Sequence, residues 1–229
     1  MGKATVTPDP VVRLTLKDTV YEKLRDLILN GGIEPGKSVT IQSLADAFGV
    51  SPMPIREILH RLVAEKALTL IEGRSVGIPR LTVDRLADLR RVRVELESIA
   101  TGWAIRHLNA SDFQQLSEAI DRMDAAIAQG DRAGYVSANR AFHFTIYNCG
   151  GSPSLLSIIE TLWLQIGPYF SLLDTSGNWS MANGHHRDLR DALMRKDVRA
   201  ARRALQADIE GGMGVLHEML LERRRTLGA

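Results

Sequence analysis

The sequence predicts a mainly α-helical fold in two parts: three helices with a small β-hairpin, then an all-α antiparallel bundle of about six helices. Three observations carry this. Two helical runs, Ile41 to Phe48 and Pro52 to about Lys66, are separated only by Gly49-Val50-Ser51. Leu68 to Ile71 and Ser75 to Ile78 read as short strands on either side of the turn Glu72-Gly73-Arg74. After Pro79-Arg80-Leu81-Thr82, apolar residues recur at helical spacing, with no β-rich segment and no internal repeat. The boundaries are therefore a flexible leader over residues 1–16, a first domain over 17–80 and a helical domain over 81–229.

The first helix runs from Thr19 to Asn30, where Val20, Leu24, Leu27 and Ile28 form one face and Asn30-Gly31-Gly32 ends it. Glu34-Pro35-Gly36 is a turn. Thr40 caps the second helix and Gly49 stops it. Ser51 caps the third, and Pro52 occupies its first position, where a missing N–H costs nothing. That helix buries Ile55, Ile58, Leu59, Leu62 and Val63. With the hairpin, these three helices make a winged helix-turn-helix. In the second part, a long helix spans Val83 to His107. Ser111-Asp112-Phe113-Gln114 is a capping box for the next, which ends near Gly130. Asp131 opens one that reaches Tyr147, and Pro153 opens another that Pro168 should kink or end. A fifth covers about Met181 to Arg195. Asp197 caps a sixth, to about Arg225, which Gly211-Gly212 weakens.

Composition narrows the class. An apolar content of 45% with 24% charged residues is that of a soluble globular protein. Residues 1–80 hold 11 basic and 9 acidic side chains and the remainder is balanced, so charge alone does not announce a nucleic-acid partner. The single cysteine, Cys149, excludes a disulfide framework within the chain and fits a reducing cytoplasm. No Cys-His-acid signature surrounds it, so it reads as an idle thiol. No run is apolar and long enough to span a membrane, and the N-terminus lacks the apolar region of a signal peptide.

A helix-turn-helix places the N-terminus of its second helix in the major groove of double-stranded DNA. Ser51, Met53 and Arg56 suit that position, being small, slender or able to donate. Arg56 is the leading candidate for a base, because a guanidinium binds guanine O6 and N7 together. Arg61, further along, is expected at a phosphate, and Gln42 at the backbone. Gly73 and Arg74, at the hairpin tip, would enter a minor groove or touch phosphate.

The helical part carries a second constellation. Asn139 and His143 are four apart and share a helix face. His186 precedes Asp197 by 11 residues and Asp208 follows it by 11. If Asp197 marks the turn of an antiparallel helix pair, His186 and Asp208 stand at one height. Asn139, His143, His186 and Asp208 would then form an N/O site for a divalent metal, Zn²⁺, Ni²⁺ or Mn²⁺. The plainer alternative is two helix histidines satisfied by hydrogen bonds.

Two resemblances sharpen these readings. Val20 to Ile78 resembles the DNA-binding domain of the GntR family of bacterial transcription regulators. The match rests on Ile33-Glu34-Pro35-Gly36, on Leu44-Ala45 through Gly49-Val50-Ser51, on Pro54-Ile55-Arg56-Glu57, and on Leu62 and Ala67-Leu68. The family often has an arginine directly after the serine of the turn, where this chain has Pro52. Leu86 to about Leu221 resembles the helical effector domain of the FadR-type subfamily, called FCD. Its metal-binding members carry Asp or Asn, a His four later, and two further histidines. Asn139, His143 and His186 match that pattern, and Asp208 stands where it has His. Arg93 matches an arginine that the subfamily uses near a carboxylate ligand. The alternative is an ion pair between Arg93 and Glu97, four residues on. Arg140, Gln165 and Tyr169 are further candidates for the effector cavity, while Trp163 and Phe170 read as core.

The expected function is thus a cytoplasmic, homodimeric, ligand-responsive transcription regulator that reads a pseudo-palindromic operator. The resemblance implies repression released by a small organic acid, a carboxylate bound in the helical domain. The rivals are a metal-dependent hydrolase with an appended helix-turn-helix and a non-specific structural DNA binder.

Overall fold

The computed structural model describes residues 15–71, 75–172 and 178–227. The first domain comprises α1 (Leu16–Leu29), β1 (Ser38–Thr40), α2 (Ile41–Phe48), α3 (Pro52–Ala64), β2 (Thr69–Ile71) and β3 (Ser75–Gly77). Its three strands are antiparallel in the order β1-β3-β2, with Ser38 and Thr69 both opposite Gly77. The sequence pattern does not reveal β1, because three residues are too few for alternation to register.

Local chemistry explains most boundaries. Thr15 and Asp18 form a reciprocal capping box, so α1 begins three residues before the predicted start. This puts residues 15 and 16 in the fold rather than the leader, whose residues 1–14 lie outside those described. Thr40 accepts from the Ser43 N–H, and Gly49 closes α2 at φ +64°, a left-handed conformation that glycine adopts without penalty. Ser51 precedes α3 but its side chain makes no cap bond. Pro52 begins the helix there with one fewer donor to satisfy.

The second domain is α4 (Val83–Ala104), α5 (Ala110–Gln129), α6 (Arg132–Asn148), α7 (Pro153–Phe170), α8 (Asn178–Met194) and α9 (Val198–Leu227). The capping box that opens α5 is Asn109 with Asp112, not one headed by Ser111. Asn109 accepts from two backbone N–H groups, and Ser111 is one of the donors. Pro168 lies within α7 without ending it, since only two residues of that helix follow. Buried Leu86, Leu116, Phe142, Ile159, Leu189 and Leu205 draw one side chain from each of the six helices into a common core.

The two domains meet along α7. Arg25 of α1 pairs with Glu160 at 3.2 Å. Gly167 lies against Leu29 so closely that a Cβ there would stand 3.1 Å from its methyl group. The Tyr169 hydroxyl donates to the Pro79 carbonyl and accepts from the Leu81 N–H at 2.9 Å, clasping the interdomain linker.

Candidate functional site: a buried His-His-Asp group and an exposed recognition helix

Among the described residues, the bundle interior encloses a polar cluster. His143 on α6, His186 on α8 and Asp208 on α9 converge there, with both rings essentially inaccessible to solvent. His143 Nε2 lies 3.1 Å from Asp208 Oδ2, and His186 Nε2 lies 3.2 Å from Asp208 Oδ1. The two Nε2 atoms are 3.3 Å apart. The α8–α9 turn explains this: Asp197 accepts from the Ala200 N–H and its own N–H donates to Ala192, so the two helices fold back at that residue.

A chain of polar contacts orients one ring. Arg93 Nε donates to Glu97 Oε1 at 2.6 Å, and a terminal guanidinium nitrogen donates to Oε2 at 3.3 Å. The Tyr147 hydroxyl donates to the same Glu97 carboxylate and lies 3.1 Å from His143 Nδ1. The hydroxyl proton is committed to Glu97, so His143 Nδ1–H is the donor to Tyr147. His143 Nε2 is left facing Asp208. Trp163 walls the cluster, its ring 5.4 Å from that of His143 and 4.8 Å from the Arg93 guanidinium carbon.

Electrostatics favour a cation at the centre. Burial pushes the His186 imidazole down to about 4, against the pull of Asp208. Burial alone would raise the Asp208 carboxyl, but His186, His143 and Arg93 together bring it down to about 2. At neutral pH the centre therefore holds a neutral His186 ring and an ionised Asp208 carboxylate, with His143 Nε2 facing both. Donors about 2.0–2.1 Å from a tetrahedral metal stand about 3.3 Å apart, close to the 3.1–3.3 Å separations here. The residues fit a divalent metal.

The depressed His186 has a consequence for metal-free protein. The unfolded chain takes up a proton near 6.5 that the native ring refuses until about 4. Stability should therefore fall as pH drops through that window. Urea midpoints from pH 7 to 5 should fall more steeply for the wild type than for His186→Gln, and equal slopes would contradict this.

Asn139, one turn before His143, is half-buried and has no hydrogen-bond partner among the described residues. Arg140 donates to Asp26 of α1 at 2.9 Å. Gln165 accepts from Arg85 and donates to the Glu65 carbonyl at 3.4 Å. Together with Tyr169 of α7, whose hydroxyl holds the linker, Arg140 and Gln165 make their contacts at the domain junction. Only contacts between helices decide this, since a side chain at the edge of a helix face can meet the neighbour on either flank. Tyr147, four residues after His143, escaped the sequence reading although its spacing marked the shared face. Cys149 is a half-buried thiol that burial pushes up to about 11, which suits no nucleophile.

In the first domain, Ser51, Met53 and Arg56 are exposed at the start of α3. Arg61 is exposed, but its guanidinium is engaged within the domain. It pairs with Glu65 at 2.9 Å and stacks over the Tyr21 ring at 3.7 Å, against α1. Gln42 is exposed on α2 and donates to Asp46 at 2.8 Å. Gly73 and Arg74 lie outside the described residues. Among the described residues, no helix is long and apolar enough to cross a membrane.

Comparison with known proteins agrees with this geometry. Residues 16–78 match the model of the bacterial regulatory proteins of the gntR family, and residues 88–211 match the FCD domain. The chain is 30% identical over 210 residues to the HTH-type transcriptional regulator McbR of Escherichia coli, covering 90% of this chain and 94% of that one. It is 25% identical to the HTH-type transcriptional repressor GlaR of the same organism, over 62% of this chain and 67% of GlaR. The solved structure of E. coli McbR/YncC superposes with a TM-score of 0.84 at 26% identity, covering 90% of this chain and 99% of that one.

Proposed function

Because the chain belongs to the gntR family of DNA-binding transcription regulators and carries its FCD effector domain, we propose that it is a repressor released by a small carboxylate. The observation that carries this reading is the buried His143–His186–Asp208 group inside a domain clasped to the winged helix. A divalent ion such as Zn²⁺, Ni²⁺ or Mn²⁺, when bound there, supplies a Lewis-acidic position for a carboxylate oxygen. Asn139, on the shared face of α6, is the fourth candidate donor. Arg93 is a buried guanidinium that acts on Asp208, and a carboxylate effector would compete with Glu97 for it.

Helix α7 offers a route from that site to DNA. Trp163 touches the His143 and Arg93 side of the site. Glu160, Gln165 and Tyr169 of the same helix hold α1, the end of α3 and the linker. Occupancy that shifts α7 would re-aim the winged domain, and differential affinity for the two placements would appear as coupling to DNA. In this reading Arg140, Gln165 and Tyr169 transmit the signal rather than bind the effector.

Two copies would act together, in the cytoplasm where the DNA is. Val92, Ile99 and Trp103 on α4, with Leu155 and Ile158 on α7, remain partly or well exposed, Trp103 by 48% and Ile158 by 50%. An apolar face of this kind on adjacent helices suits a symmetric homodimer. Such a dimer reads two half-sites about one DNA turn apart.

Selection from genomic DNA fragments tests the reading. The protein should enrich a few pseudo-palindromic sites, and Arg56→Ala should lose about 1–3 kcal/mol at those sites. Equal retention of all fragments would sink it and favour non-specific DNA binding.

A further inference from the structure

The exposed side of α3 holds a polar group, His60, that no predicted role uses and no neighbour among the described residues engages. Its outward residues include Met53, Arg56, Glu57, His60 and Arg61. Two of the four polar ones are engaged by neighbours. Glu57 binds the Lys17 ammonium of α1, and Arg61 is held by Glu65 and the Tyr21 ring. Arg56 and His60 have no hydrogen bond or ion pair among the described residues. Both line a cleft of about 260 Å³ between α3 and the sheet, with Leu70 and Val76 across from them.

We propose that His60 is a second base-reading residue of this regulator, acting beside Arg56. The assignment rests on α3 being the helix that enters the major groove. Such helices read DNA through one face at i, i+3, i+4 and i+7, and Met53, Arg56, Glu57 and His60 have that spacing. His60 stands one turn beyond Arg56, about 6 Å along the axis. Its contact therefore falls at a different base pair from that of Arg56. A neutral imidazole has one N–H donor and one acceptor. It can donate to guanine N7 or O6, or accept from the amino group of adenine or cytosine. Arg61, expected at a phosphate, is off this spacing, and its guanidinium lies over the Tyr21 ring on the α1 side.

Selection from randomised duplexes tests this with wild type, His60→Ala and Arg61→Ala, each checked by thermal melting. Enrichment of a defined site by the wild type establishes the DNA-reading premise independently of His60. His60→Ala should then melt like the wild type, because the side chain is exposed. It should lose preference, by about fivefold to tenfold, at one base pair in each half-site and retain the others. Arg61→Ala should melt lower and keep every preference. Uniform weakening by His60→Ala on all sequences, with a shallower salt dependence, would mean a phosphate contact and overturn the assignment. An unchanged preference would overturn it too. A wild type that enriches no site would remove the premise itself.

Discussion

Glu97→Ala should cost about 3–5 kcal/mol of folding stability, the loss expected when one partner of a buried ion pair is removed. Arg93 is 3% exposed and Glu97 fully buried, and two hydrogen bonds join them. Without the carboxylate, the guanidinium remains in the interior with Asp208 as the nearest compensating charge. The Tyr147 hydroxyl loses its acceptor at the same time. Replacing both charges, as in Arg93→Met with Glu97→Leu, should recover much of the loss, because the buried charge goes with its partner. Urea denaturation of the single and double variants measures both effects. A single-variant loss below about 1 kcal/mol would mean that water or another anion takes over the pairing.

The second large effect concerns the histidine centre. Chelator-treated protein given Zn²⁺, Ni²⁺ or Mn²⁺ at about a thousand times its Kd should gain about 4 kcal/mol of apparent stability by mass action. In a chain of this size that is a rise in Tm of about 8–16 °C. His143→Ala with His186→Ala should abolish the gain while leaving the helical circular dichroism intact. Asp208→His should still bind but reorder the preferred metals, since it replaces a hard oxygen donor with imidazole. No gain with any of the three ions would leave Arg93 in a metal-free pocket as the remaining effector site.

The DNA-reading half was legible because its signals are local. Thr40, Gly49 and Pro52 are cap, stop and first-turn residues, and each acts within four residues of itself. The bounds of α2 follow from them residue for residue. Part of the buried site was legible for the same reason. Asn139 and His143 share a helix face by spacing, and the equal separations of His186 and Asp208 from Asp197 follow from a helix hairpin closing there. Strand β1 was not, because three residues between a turn and a cap carry too little pattern.

What the sequence determined by itself is the order of the helices and the hairpin, the family and the side chains that could carry chemistry. These depend on residue type and on spacing along one helix. Which side chains meet was decided only by tertiary packing. Arg61 reads as a free cation until Tyr21 and Glu65 are brought beneath it. Arg140, Gln165 and Tyr169 suit a ligand cavity until α1 and the linker are packed against them. A helical pattern defines an apolar stripe but not the neighbour on either flank of it. That neighbour is chosen by how six helices bury their stripes together, a property of the whole bundle.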